Sequence, residues 1–151
     1  MNKLPLTRLL AATAALAISA SAAFANADWM TDANAAAKKS KESGKPLLLD
    51  FTGSDWCPPC IMMKKQVLDS AAFKEFAKDS LVLLELDFPR RTQQPDSLKQ
   101  QNEGLAEKYG IEGFPTFILV SPKGKELARN VGFQPGGSEA FIKWIKKAST
   151  K

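Results

Sequence analysis

Beyond residue 28 the apolar positions of the chain fall into two kinds of run. Leu47-Leu48-Leu49-Asp50-Phe51, Leu81–Leu86 and Thr116–Val120 are short and almost uninterrupted, the pattern of strands buried on both faces. Glu126–Val131 follows the last of these across Pro122-Lys123-Gly124, which predicts a hairpin. Helical stretches alternate with these runs. Thr31–Ser43 is rich in Ala and Lys, has Thr31 or Asp32 as cap and stops at Gly44. A second helix opens at Trp56-Cys57-Pro58-Pro59-Cys60, since proline is tolerated in a helix's first turn. It runs through Ile61–Leu68 and is capped again at Asp69 or Ser70 before Ala71–Lys78. Phe88–Asn102 is polar, and Ser97 can cap a helix that Gly110 ends after Tyr109. Ser138–Ala148 closes the chain with Phe141, Trp144, Ile145 and Ala148 on one face and Lys143, Lys146 and Lys147 on the other. The order α-β-α-β-α-β-β-α predicts one α/β domain, residues 28–151, with a central mixed sheet covered by helices on both faces.

Residues 1–27 read differently. Lys3 and Arg8 precede an uncharged stretch, Leu9–Phe24, dominated by Ala and Leu. Ala23-Phe24-Ala25 and Ala25-Asn26-Ala27 each fit a small-x-small cleavage site, so a signal peptide over 1–25, or cut at 27, is expected. The apolar stretch is shorter than the roughly 20 residues that span a bilayer, leaving an uncleaved anchor as the alternative. Of 151 residues 44% are hydrophobic and 25% charged, which excludes a disordered chain. Losing Lys3 and Arg8 with the leader reduces a formal charge of +5, and the remaining lysines are scattered, so no nucleic-acid partner is expected. The chain has no His. Ser-His triads, His acid–base catalysis and His-ligated metals are thereby excluded.

The chemistry left open rests on the two cysteines, Cys57 and Cys60, in Cys57-Pro58-Pro59-Cys60. In an oxidising compartment such a pair can cycle between dithiol and disulfide. A helix start favours the thiolate of a Cys placed there, which is the attacking form. Two intervening residues keep both sulfurs within one turn, so the pair can attack a partner disulfide and then close on itself. A structural disulfide over so small a loop would add little stability. A zinc site would need four thiolates from two chains. Haem attachment would need His where Ile61 stands. No phosphate-binding glycine loop or metal constellation is present, so no cofactor and no metal are implied.

Phe51-Thr52-Gly53-Ser54-Asp55-Trp56-Cys57-Pro58-Pro59-Cys60, with Lys108-Tyr109-Gly110-Ile111-Glu112-Gly113-Phe114-Pro115-Thr116 downstream, resembles the thioredoxin superfamily over nearly all of the chain beyond the leader. The wording around the motif is similar to periplasmic thioredoxin-like proteins and to the soluble C-terminal domain of the transmembrane thiol:disulfide interchange reductase. The resemblance implies a thioredoxin-like fold with an extra N-terminal helix. It makes Cys57 the exposed nucleophile, Cys60 the buried resolving thiol and Pro115 a cis-proline, with Phe114 offering its backbone to an extended client segment. Asp50 matches the buried carboxylate that takes the resolving thiol's proton, although six residues separate it from Cys57, one more than in thioredoxin itself. A solvated Asp, or one paired with Lys, is the alternative. Glu85 falls on the strand position where thioredoxin carries a lysine, reversing the local charge. Trp56 either shields the disulfide and meets a partner or simply packs. One of Met62 and Met63 is expected in the core. Arg90-Arg91, in a segment longer than the family needs, is a solvated loop or a docking surface.

The residues between the cysteines bear on direction. Pro58 and Pro59 have no N–H to donate to the Cys57 sulfur, so the thiolate and the reduced form should be less stable and the potential more reducing. The expectation is a monomeric periplasmic reductant of client disulfides, recharged by a membrane thiol:disulfide reductase. A disulfide isomerase or oxidant, or a non-catalytic thioredoxin-fold adaptor, are the competing readings.

Overall fold

The computed structural model describes residues 28–150; the expected leader and both cleavage positions lie outside them. In chain order the elements are β1 (Trp29–Met30), α1 (Ala33–Ser43), β2 (Leu47–Thr52), α2 (Pro58–Met63), α3 (Ala71–Ser80), β3 (Val82–Asp87), α4 (Asp96–Tyr109), β4 (Thr116–Val120), β5 (Glu126–Val131) and α5 (Gly137–Ser149). Asp32 caps α1 by accepting from the Ala35 N–H at 2.9 Å, and Gly44 ends it in the left-handed region at φ 70°. Ser70 caps α3 through the Phe73 N–H. The cap expected at Ser97 is replaced by Pro95, whose carbonyl accepts from Leu98 and Lys99, each at 3.0 Å. Its ring fixes φ at a value that leads into the first turn, so no side-chain cap is used.

The five strands form one sheet in the order β1-β3-β2-β4-β5. β2 pairs in parallel with β3 from Leu47↔Val82 to Thr52↔Asp87, and antiparallel with β4 from Leu47↔Val120 to Phe51↔Thr116. β1, two residues long, pairs in parallel with Leu83 and Leu84. Alternation along the strands divides the core into two layers. Leu47, Leu49 and Phe51, with Val82, Leu84 and Leu86, share a layer with Ala36 of α1 and Leu105, Ala106 and Tyr109 of α4. Leu48, Leu83, Phe117 and Leu119 pack on the other face with Met63, Phe73, Phe141 and Ile145. Phe73 and Phe117 are fully buried, and a Phe so placed is worth about 3–5 kcal/mol against Ala. Met63 fills this core while Met62 is exposed.

That alternation decides what lies beneath the cysteines. Asp50 and Thr52 share the face of Leu48, and Glu85 and Asp87 share the face of Leu83, so the carboxyl ends of β2 and β3 present acids toward α2. α2 continues without interruption into a π-helical stretch, Lys64–Leu68, in which the Asp69 N–H reaches the Lys64 carbonyl at 2.8 Å. Among the described residues no helix is long and apolar enough to cross a membrane.

Candidate active site

The chain leaves β2 through a tight turn in which the Trp56 and Cys57 N–H groups both donate to the Gly53 carbonyl, at 3.3 and 2.9 Å. Gly53 is needed here because the Trp56 indole lies over it: a Cβ would stand 2.6 Å from the ring. The turn delivers Cys57 to the N-cap of α2 and Cys60 to its first turn, where they form a disulfide with Cα atoms 5.3 Å apart. Of the three positions after Cys57 only Cys60 carries an N–H. The exposed Cys57 that the resemblance implies is not seen in this oxidised state. Cys57 and Cys60 are each 3% exposed. Pro58 is exposed and Pro59 half-buried.

The Phe114–Pro115 peptide is cis. Its loop meets the cysteine turn through aromatic contacts: Trp56 meets Phe114 edge-on at 5.9 Å between centroids, and Phe88 packs on Phe114 at 5.0 Å. Trp56 thus touches both segments and is half-buried, so it has packing contacts and a free surface together.

Behind the bridge, Asp50 is 4% exposed, and its Oδ1 has no hydrogen-bond partner in the protein. Asp50, Cys60, Glu85 and Lys64 line one cavity of about 90 Å³, walled also by Trp29, Ile61 and Leu68 and large enough to hold water beside its polar groups. Burial pushes the Asp50 carboxyl well above the ordinary carboxylate range; Glu85 and Asp87 push the same way and Lys64 opposes them. Glu85, in register with Asp50, is also raised, first by burial and then by Asp87. Neither alternative for Asp50 describes this site, because the side chain is neither solvated nor ion-paired. Lys64 was not singled out from the sequence. It lies one helical turn beyond Cys60, on the same face, and that spacing was the available signal. Its ammonium bonds Asp69 at 2.7 Å while its charge reaches the buried Asp50 and the half-buried Glu85. The cation that acts on these two carboxyls therefore stands on the helix and not on a strand.

In front of the bridge, residues 88–95 form a strap over the cysteine turn. Asp55 accepts from the backbone N–H groups of Arg90, Arg91 and Thr92 at 3.0, 2.8 and 2.9 Å, and from the Thr92 hydroxyl at 3.0 Å. The Arg90 amide leads the bonds that hold the Asp55 carboxyl down to about 2. The Trp56 indole N–H donates to the Phe88 carbonyl at 2.7 Å, and Asp87 binds the Ser54 amide and hydroxyl at 2.9 and 2.6 Å. Nothing in the local sequence marks Asp55 for this work, because its partners lie in a distant segment.

A helix-start cysteine pair, a cis-proline loop packed on the adjoining Trp56 and a buried carboxyl sharing a cavity with Cys60 suit dithiol–disulfide exchange. A sequence model described as a thioredoxin-like domain matches residues 33–149. The disulfide bond reductase DsbH of Chlamydia pneumoniae is 44% identical over 126 residues, covering 83% of this chain and 75% of the relative. A solved DsbH oxidoreductase superposes with a TM-score of 0.79 at 38% identity, covering 99% of this chain and 94% of that one. The reduced C-terminal domain of DsbD from Neisseria meningitidis shares the fold at a TM-score of 0.59 and 23% identity, covering 76% and 91%. The chain belongs to the thioredoxin-like domain family, and its Cys57–Cys60 pair makes it a thiol–disulfide oxidoreductase.

Proposed function

We propose that the chain works as an exported reductant of client protein disulfides. The observation that carries this reading is the donor-poor first turn of α2: Pro58 and Pro59 leave the Cys57 sulfur without two of the N–H groups that would stabilise its thiolate. A less stabilised thiolate makes the dithiol the stronger electron donor. The name of the Chlamydia relative, a disulfide bond reductase, supports the same direction. The charged start and apolar stretch of residues 1–25 support export to the periplasm.

In this reading the Cys57 thiolate attacks one sulfur of a client disulfide, forming a mixed disulfide and releasing the first client thiolate. Cys60 gives its proton to Asp50 through the intervening cavity and attacks the Cys57 sulfur. The Cys57–Cys60 bridge forms, the second client thiolate leaves, and two electrons have passed to the client. A carboxyl raised by burial suits this step because its proton affinity lies closer to that of a thiol. Phe114 and Pro115 line the approach to the bridge, and Trp56 shields it. The dithiol is restored by a membrane thiol:disulfide reductase.

The test is the equilibrium potential of the Cys57–Cys60 couple in glutathione or dithiothreitol buffers, read by thiol trapping. A reductant is expected below about −230 mV, and a value above about −180 mV overturns the direction.

A further inference from the structure

The strap holds an unpaired guanidinium at the rim of the site. Asp55 spends its carboxylate on three backbone amides of the strap and not on an arginine side chain. The strap is thereby fixed, and the Arg90 side chain is laid over Trp56 with Cζ 3.5 Å from the ring centroid. Arg90 is exposed, and among the described residues no carboxylate lies within ion-pair distance of it. Stacking uses the flat face of a guanidinium and leaves its N–H edge free. The indole below removes water from one face and restricts the side chain's rotamers, so little further ordering is needed when a partner binds. That edge stands beside Trp56, which adjoins Cys57 in sequence and touches Phe114 in space. Asp50 lines a cavity with Cys60, while Glu85 and Asp87 also face the strap at Pro89 and Thr92; among the described residues none of the three forms an ion pair with Arg90.

We propose that Arg90, stacked on Trp56, is a specificity residue that receives a carboxylate flanking the reactive cysteine of a client polypeptide. The bidentate geometry of arginine with a carboxylate gives direction as well as charge. This rests on the reading that Cys57 exchanges with client disulfides, and the experiment separates the two. Reduced protein is mixed in low salt with either of two disulfide-looped synthetic peptides that differ only in having Asp or Asn beside each cysteine. The Asp peptide should react about fivefold faster, a ratio fitting one charged contact at an exposed site. Because both rates come from one preparation, a loss of folded protein cancels in the ratio.

Arg90→Ala should bring the ratio to about one, Arg90→Glu should invert it, and Arg90→Lys should keep part of it, since lysine offers charge without the fork. Lys143→Ala, an exposed cation on α5, should leave the ratio as in the wild type, which separates a local contact from general positive charge. About 1 M salt should flatten the ratio. Equal wild-type rates, or an Asp preference that survives Arg90→Ala, overturn the assignment while leaving exchange intact. If neither peptide is reduced, the exchange reading fails and this inference falls with it.

Discussion

Asp50 and Asp55 both adjoin one disulfide turn and are treated in opposite ways. Asp50, on β2 behind the bridge, is buried with one carboxylate oxygen unpartnered and two further acids close by. Asp55, in the turn before Cys57, accepts three amides and a hydroxyl, and its carboxyl is drawn down to about 2. A buried charge without partners is destabilising, so the Asp50 carboxylate takes up a proton far more readily than an ordinary one and can serve as an acceptor. A carboxylate saturated with N–H donors stays ionised and acts as a mechanical tie. The same side chain supplies proton chemistry to the floor of the site and shape to its rim, and burial against amide donors decides which.

The sharpest way to break this division is Asp50→Asn, which keeps the shape and removes the proton acceptor. General acid–base groups contribute typically 10²–10⁴-fold, so resolution of a trapped mixed disulfide should slow by about 100-fold at neutral pH, while attack by Cys57 changes far less. Stopped-flow measurement of both steps separates them. Equal slowing of both, or none, removes Asp50 from the proton path. The matching change at the rim, Asp55→Asn, should leave resolution nearly untouched and speed hydrogen exchange at the Arg90, Arg91 and Thr92 amides.

Stability against pH should then distinguish the two carboxyls by sign. The folded-state pKa of Asp50 is raised, so the folded protein binds a proton that the unfolded chain has already lost. Stability is lost as pH rises through that window. Asp50→Asn should therefore melt higher than the wild type at neutral pH, with the gain fading in acid below the unfolded value of about 4. For Asp55 the folded value is depressed to about 2, so its contribution is fully present above about 4 and is lost as pH falls through about 2. Asp55→Asn should melt lower at neutral pH, with the deficit shrinking in acid. Thermal melts of the three proteins from pH 2 to 8 read both trends, and parallel curves would show that neither carboxyl is coupled to folding.

The floor was more legible in the sequence than the rim. Leu47-Leu48-Leu49-Asp50-Phe51 and Leu81–Leu86 announced buried strands, and an acid inside such a run has few places to go except beneath something. The period of two then fixed Asp50 and Glu85 on one face once the strands paired in register. Lys64 was one turn from Cys60 and open to the same local logic. By contrast β1 has two residues, too few to show any period, and its pairing with β3 supplies its order. The π-helical stretch has a sequence indistinguishable from ordinary helix. The strap depends on Asp55 meeting amides 35 to 37 residues away, a coincidence of chain paths that no local pattern encodes. Residue types report periodicity and turn chemistry well; they do not say which distant backbone a carboxylate will tie.

The smallest effect tests how the floor is tuned. After burial, Glu85 is the largest influence raising Asp50, and Lys64 opposes it. Glu85→Gln should move the pH midpoint of mixed-disulfide resolution down, because one like charge is removed from beside the acceptor. Lys64→Met should move it up, because the opposing cation is gone. The second shift should be the smaller. The Lys64 side chain is 59% exposed and engaged with Asp69, so water and its own partner screen much of its field. Glu85 is half-buried and in register with Asp50, where screening is weaker. The double variant should fall between the single ones, with a coupling that reports whether the two charges also sense each other across the cavity. If both single variants shift the midpoint in the same direction, the charges act through packing, and burial alone sets the proton affinity of Asp50.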